Sequence, residues 1–443
     1  MHRVNVPRVF GTVDTYRKVI ALTGPLLPLV SFLARLPVAM CQFGSVLLIA
    51  ETTGSLATAG IVGFALSAGQ VAFGPVLGRL ADRRGQRPVV LGAVAVNAVA
   101  TGALVAGALG HLDTVPLASI AVVAGASIPL IGPLARSRSV ALARRAEADE
   151  SVVGAVHSLE GTLDEVSFVI GPALVGTATL VAHPAAALAG AACLVAVFGG
   201  AYALHPTASV TAGSPAPDRP EGGRSRPPGV VYSVRASLAL QGAVFGACQA
   251  GIAALTLRLG VPGQAGIVYA CMGVVSAVVG LAMGALPARF GLRLRWRLAT
   301  AAGLAFSAPL VFTDGLLPLY AVVTVLGAAC APHLITAFAL TERHVQPARL
   351  AEAMAFAASS LVAGQALALG VSGQLAEWYG PAGPFALAVG AAALCLVLAL
   401  ATRVPAARPH PGVVIPAQAT APRIGAAGEK GPTAAGRTSY AGR

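Results

Sequence analysis

Residues 78–87 read GRLADRRGQR, a charged knot set between two apolar runs at 56–79 and 88–110. A helix crossing the hydrocarbon core of a bilayer needs about 20 consecutive apolar residues, and both runs meet that length. A short connector holding Arg79, Arg83, Arg84 and Arg87 must then lie at one membrane surface. Working outward from it, runs of spanning length recur at 30–51, 56–79, 88–110, 115–137, 152–180, 183–204, 236–257, 263–288, 296–313, 316–339, 351–376 and 381–402. They predict twelve transmembrane helices, because lipid-exposed backbone has to satisfy its hydrogen bonds within its own segment.

Composition agrees. Of 443 residues 56% are hydrophobic and only 11% charged, with a mean hydropathy of +0.77, where a soluble domain carries about a quarter charged residues. A net charge of +13 would suit a nucleic-acid binder only if the basic residues shared one soluble face. They sort by topology instead. Of the 30 Lys and Arg, 28 fall on the N-terminus, on connectors after even-numbered spans or on the C-terminal tail, leaving Arg35 inside a span and Arg258 on the other side. That other side carries Glu51, Asp113, Asp314 and Glu377. The positive-inside rule therefore places both termini in the cytoplasm. The first span is read as retained, not as a signal peptide. Cys41, Cys193, Cys248, Cys271, Cys330 and Cys395 lie within spans without metal-ligand spacing and are read as packing residues, with no metal and no cofactor expected. Arg outnumbers Lys 28 to 2 and Ala is abundant, as in proteins of GC-rich bacterial genomes.

The interval 205–235 is rich in Pro, Gly, Ser and Arg and reads as a flexible cytoplasmic linker. It divides a cytoplasmic N-terminus (1–29) and a six-helix bundle (30–204) from a second bundle (236–402) and a disordered cytoplasmic tail (403–443). The halves repeat. AGIV stands at 59–62 and at 265–268, and the same register brings Gly78, Leu80, Arg83, Gly85 and Arg87 onto Gly284, Leu286, Arg289, Gly291 and Arg293. A weaker echo aligns Pro129 with Pro332. Parallel six-helix repeats suit a transporter that rocks two bundles about a site near the bilayer midplane.

Span five interrupts its apolar run with LEGTLDEVSFVIGP, residues 159–172. A charge at mid-bilayer costs about 2.5–3.5 kcal/mol on insertion scales, so Glu160, Asp164 and Glu165 are expected to face the bundle interior. Glu160 and Asp164 are one turn apart on a face shared with His157, while Glu165 lies on a stripe with Gly161 and Pro172. Two roles fit these carboxylates: a fixed ion pair with Arg35, or proton exchange as water access alternates. A pair with Arg35 formed in only one conformation would join the two. His157 lies nearer the cytoplasmic end, as a hydrated wall residue or a relay.

GRLADRRGQR resembles the signature loop of the major facilitator superfamily, usually written G-x-L-a-D-r-x-G-R/K-R/K, and span count, topology and linker are similar across 30–402. The resemblance implies an all-α membrane fold and makes Gly78, Leu80, Asp82, Arg83, Gly85 and Arg87 a gating latch. Gly78 would let spans two and eleven pack closely, and Asp82 would meet the positive end of a neighbouring helix. Gln86 stands where a basic residue is usual, which would weaken one latch contact. Ala288 replaces the aspartate in the second copy. Gly171-Pro172 in FVIGPALVG resembles the Gly-Pro signature of drug/proton antiporters in this superfamily. The family's central site, lined mainly by helices one, four, seven and ten, makes Gln42, Gln241, Gln249, Tyr269, His333, Ser359 and Gln365 candidates beside Arg35. Pro129, Pro133 and Pro332 are expected to break or kink helices near it. Span four lacks the intramembrane arginine that many proton-coupled members carry, with Arg35 as the substitute.

These features point to a proton-coupled exporter of a small lipophilic or amphipathic compound, a monomer in a bacterial inner membrane whose partners are substrate, protons and lipid and not nucleic acid. An uptake carrier for a metabolite and a non-transporting sensor on the same fold remain open. An enzyme would need a nucleophile or metal constellation, and no convincing one is found.

Overall fold

A computed structural model describes residues 17–211, 228–283, 290–345 and 350–403, among which no β-strand occurs. After a short helix over residues 17–23, the chain runs through α1 (Leu26–Thr53), α2 (Leu56–Arg84), α3 (Gln86–Leu109), α4 (Thr114–Arg145), α5 (Glu150–Val181) and α6 (Pro184–Leu204). The second bundle holds α7 (Gly229–Arg258), α8 (Gln264–Met283), α9 (Leu292–Ser307), α10 (Leu316–His344), α11 (Leu350–Tyr379) and α12 (Ala382–Ala401). Among the described residues, eleven helices are long and apolar enough to cross a membrane. The exception is α9, whose 16 residues include Arg293, Arg295 and Arg297 and are extended by a 3-10 segment, Ala308–Phe312. Together these two pieces rise about 34 Å, enough to cross. The protein is an all-α integral membrane protein.

Local chemistry sets the turns. Gly54 ends α1 in the left-handed region, and the Ser55 hydroxyl caps α2 by accepting the Thr58 N–H at 3.1 Å. Gly85 joins α2 to α3 at φ +86°, a conformation glycine reaches without Cβ strain. The second bundle starts at Gly229, so α7 takes up residues expected to belong to the linker. Residues 212–227 and the tail after 403 lie outside the described residues.

The prolines act differently from one another. Pro129 interrupts α4, whose helix stops at Ala126 and resumes at Ile131, and Pro133 stands in the first turn of the resumed segment, where a missing N–H costs nothing. Pro332 does not break its helix: it lies inside a continuous α10, where it removes one backbone hydrogen bond.

One apolar cluster joins both bundles, with Phe43, Leu66 and Val175 of the first against Ala247, Val268 and Leu326 of the second. These residues lie toward the end that carries Glu51, Asp113, Asp314 and Glu377, here called the acidic end. Toward the opposite, basic end each bundle closes its own core: Val30, Leu134 and Tyr202 in one, Val234, Trp296 and Leu340 in the other. Among the described residues, the bundles therefore share a core at the acidic end and keep separate cores at the basic end.

The seam at the acidic end is built from the repeated AGIV strings. Gly60 of the first copy packs on Gly373 of α11, and Gly266 of the second copy packs on Pro172 and Gly176 of α5. Small residues let the backbones approach in the absence of a hydrophobic force between helices. A carboxylate ties the same seam: Glu377 of α11 accepts the Ser55 hydroxyl at 2.5 Å and the Ala57 N–H at 3.0 Å. Gly78 does not join α2 to α11 as expected. Among the described residues, a Cβ there would meet only Leu130 of α4, at an ordinary 3.8 Å.

Candidate functional site

Arg35 crosses from α1 to α5, only 4% exposed. Its guanidinium pairs with the Glu160 carboxylate, donates to the Glu160 carbonyl oxygen at 3.1 Å, and lies 3.4 Å from Asp164 Oδ1. The spacing of one helical turn puts both carboxylates in reach of one arginine, as the sequence implied. Two further partners come from α4. Ser139 donates to Glu160 Oε1 at 3.0 Å, and Arg136 donates to Asp164 Oδ2 at 3.1 Å. The break at Pro129 explains how Asp164 fits: its carboxylate rests on Gly132 in the first turn of the resumed helix, where a Cβ would come within 2.6 Å of Oδ1. That turn is also the positive end of a helix dipole. Arg35 and Arg136 thus face Glu160 and Asp164 as a compact two-plus-two cluster joining α1, α4 and α5.

The expectation that Arg35 is the one basic residue within a span needs correction. The helix of α4 runs on to Arg145, and its polar final turns read in sequence as a connector. Arg136 and Arg138 are two residues apart and so point to opposite sides of the helix. Arg138 is fully buried. Its Nε and Nη2 donate to Gln86 Oε1 at 3.1 and 2.9 Å, its Nη1 donates to the Tyr202 carbonyl at 3.0 Å, and its guanidinium lies 3.9 Å over the Tyr202 ring. Gln86, expected to weaken a latch, is instead the buried acceptor for this cation and donates to Ser137 at 3.0 Å. The signal for this was the neutral amide itself, in a place where a second cation would repel Arg138.

Other expected residues stand apart. Asp82, Arg83 and Arg87 are exposed and Leu80 half-buried, and no ion pair among the described residues involves the loop. Glu165 and His157 are exposed, and neither joins the Arg35 cluster. Gly171 presses α5 against α1, a Cβ there coming within 2.6 Å of the Ala39 Cβ, while Pro172 turns its carbonyl to α8.

The cavity candidates divide into two groups. Gln42 donates to Gln70 at 2.8 Å, Gln249 donates across the seam to the Gln42 carbonyl oxygen at 2.9 Å, and Gln365 donates to Gln249 at 3.4 Å. Beside this row Phe43 and Tyr269 meet with ring centroids 5.4 Å apart. Gln70 was not anticipated. Gln241 and His333 lie instead inside the second bundle. There Trp296 Nε1 donates to Ser237 Oγ at 3.1 Å, Ser237 lies 2.7 Å from His333 Nε2, and His333 Nδ1 lies 2.6 Å from Gln241 Oε1. The Gln241 amide oxygen only accepts, so the histidine carries its proton on Nδ1, and Nε2 of the neutral ring accepts the Ser237 proton. That chain cross-links α7, α9 and α10, and Gln241 and His333 also line a small cavity within the second bundle. Ser359 is half-buried and without a hydrogen bond among the described residues.

Two bundles related by repeats, fused at one end around a polar mid-membrane row, can be compared with known proteins. The sequence model of the Major Facilitator Superfamily matches residues 27–323 and 260–430. The chain belongs to the major facilitator superfamily. As a member it is a multi-pass membrane transporter of small molecules and not an enzyme. Among solved structures, the nucleoside transporter NupG superposes with a TM-score of 0.67 at 15% identity, over 85% of this chain and 97% of that one. A bacterial homologue of the iron transporter ferroportin in an inward-facing state gives 0.64 at 17%, over 85% and 97%. The human organic anion transporter MFSD10 gives 0.58 at 16%, over 86% and 99%. No curated protein matches the sequence. The superfamily's loop motif is present at residues 78–87, and no ion pair among the described residues engages it.

Proposed function

We propose that this superfamily member is a proton-coupled secondary exporter of a small amphipathic compound, with the basic end and both termini in the cytoplasm of a bacterial inner membrane. The observation that carries the reading is Asp164, held between Arg35 and Arg136 on the Gly132 turn and still 33% exposed on its side chain. A carboxylate both paired and reached by water exchanges its partner for a proton when access changes. With the basic end open, Glu160 and Asp164 carry charge against the arginines and tie α5 to α1 and α4. Protonation from the other side neutralises Asp164, releases Arg136 and loosens the tie, so the bundles rock; deprotonation at the cytoplasmic side restores the pair. The exposed Glu165 is a second acceptor on the same helix. Substrate and proton would then use alternate conformations of one monomer, whose two bundles together complete the site. The residues at 78–87 serve as the latch of the opposite conformation.

The similar structures are described as carriers of nucleosides, iron and organic anions, so the fold does not choose the solute. The uncharged glutamine row supports a neutral or amphipathic one. Counterflow in proteoliposomes tests the coupling. Antiport predicts that substrate accumulates in vesicles with an acid interior, and that Asp164→Asn abolishes this while leaving downhill exchange. Accumulation driven by an acid exterior, or an unchanged pH response in Asp164→Asn and Glu165→Gln, would overturn the proposal.

A further inference from the structure

The row Gln70, Gln42, Gln249, Gln365 lies where the shared apolar core begins, at the apex of the opening between bundles. Three of its members, Gln42, Gln249 and Gln365, are among the expected cavity residues, and Gln70 of α2 joins them. One bond in it crosses the seam: Gln249 Nε2 to the second lone pair of the Gln42 carbonyl. Opening the acidic end must break that bond. In the membrane interior an unpaired amide is costly to leave, so the broken pair needs a replacement.

The row also has free valences. Among the described residues, Gln42 Oε1, Gln70 Nε2 and Gln365 Oε1 make no hydrogen bond, which leaves two acceptors and a donor with no charged side chain in the row. Phe43, next to Gln42 in the chain and buried, and Tyr269 of the opposite bundle close on each other, so they offer flat apolar faces only once the bundles part. We propose that this row recognises a neutral, flat solute bearing an amide-type donor–acceptor edge, and that the solute replaces the Gln249–Gln42 bond when the bundles change places. A charged solute fits poorly, because amides alone do not repay the desolvation of an ion at this depth. A solute without the edge leaves the glutamines unpaired, so recognition and opening of the acidic end are coupled by the same hydrogen bonds.

The proposal rests on the transporter reading, but its test needs no gradient. Binding of benzamide, nicotinamide and uracil to the purified full chain in detergent is measured by equilibrium dialysis, beside benzoate and the fully N-methylated counterparts. The expected result is that at least one of the three binds tenfold or more tightly than its methylated or charged partner, that Gln249→Leu removes this preference, and that Asp164→Asn retains it. Gln365→Leu, at a half-buried position, serves where Gln249→Leu fails to fold, and Gln249→Asn should recover part of the preference. Equal binding of the amides and their methylated partners, or a preference untouched in both leucine variants, overturns the proposal. Loss of proton-driven accumulation with the preference intact would count against the antiport reading alone.

Discussion

Gly60 of α2 and Gly373 of α11 meet backbone to backbone, so closely that a Cβ on Gly60 would lie 2.9 Å from the Gly373 Cα and 2.7 Å from the Leu369 carbonyl oxygen. No flexible side chain can yield there. Gly60→Leu is therefore expected to wedge the acidic end apart and cut initial transport rates at least about tenfold. Gly92→Leu, whose Cβ would meet open space, should transport near the wild-type rate. Flux in proteoliposomes at matched protein content decides it.

Gly132→Ala places a methyl 2.6 Å from Asp164 Oδ1 without adding or removing any charge. The carboxylate must swing away from Arg136 or Arg35. Proton-driven accumulation is expected to fall about tenfold with folding preserved, mimicking Asp164→Asn in part. Wild-type accumulation would show that the carboxylate position is not needed.

Arg138→Ala should be the most damaging change to stability among the basic residues. It leaves Gln86 and the Tyr202 carbonyl without their buried donor, a loss on the order of 3–5 kcal/mol. Arg136→Ala removes a partly exposed pair and should cost about 1 kcal/mol or less. Thermal unfolding in detergent ranks the two.

Glu377→Ala removes the acceptor for Ser55 and the Ala57 N–H at the start of α2. An exposed interaction of about 1 kcal/mol corresponds to roughly a fivefold shift in a two-state equilibrium. Spin-label distances between the acidic ends of α2 and α11 should show a larger separated population, with Glu377→Gln in between.

His205 follows α6 and accepts the Thr207 N–H on Nδ1 at 3.4 Å. Burial first, and the Arg138 charge second, hold its imidazole below the ordinary histidine value. A lowered value favours the neutral ring in the folded state, so its contribution is present above about pH 6.5 and is lost as pH falls below that. Amide exchange at residues 207–211, corrected for intrinsic rate, should quicken at acid pH, and His205→Gln should flatten that response.

Much of the site was legible in part. The shared face of Glu160 and Asp164 followed from helical spacing, and Arg35 as their partner followed from the cost of an unpaired charge. Arg136 and Arg138 were missed because the last turns of α4 are polar, and hydropathy reads a polar turn as a connector even when the helix continues. Gln42, Gln249 and Gln365 were visible as polar residues in apolar spans, but so were Gln241 and His333, which turn inward to Ser237 and Trp296 instead.

The sequence by itself determined the membrane class, the repeat register that sets Gly60 against Gly266, and the carboxylate-bearing helix, because hydropathy and periodicity are local properties. Only the tertiary structure decided which end is fused, which arginines meet Asp164 and which glutamines meet across the seam. Those depend on how each helix is rotated and where it crosses its neighbour, and the crossings are fixed by small-residue contacts such as Gly60 with Gly373, which come from opposite halves of the chain.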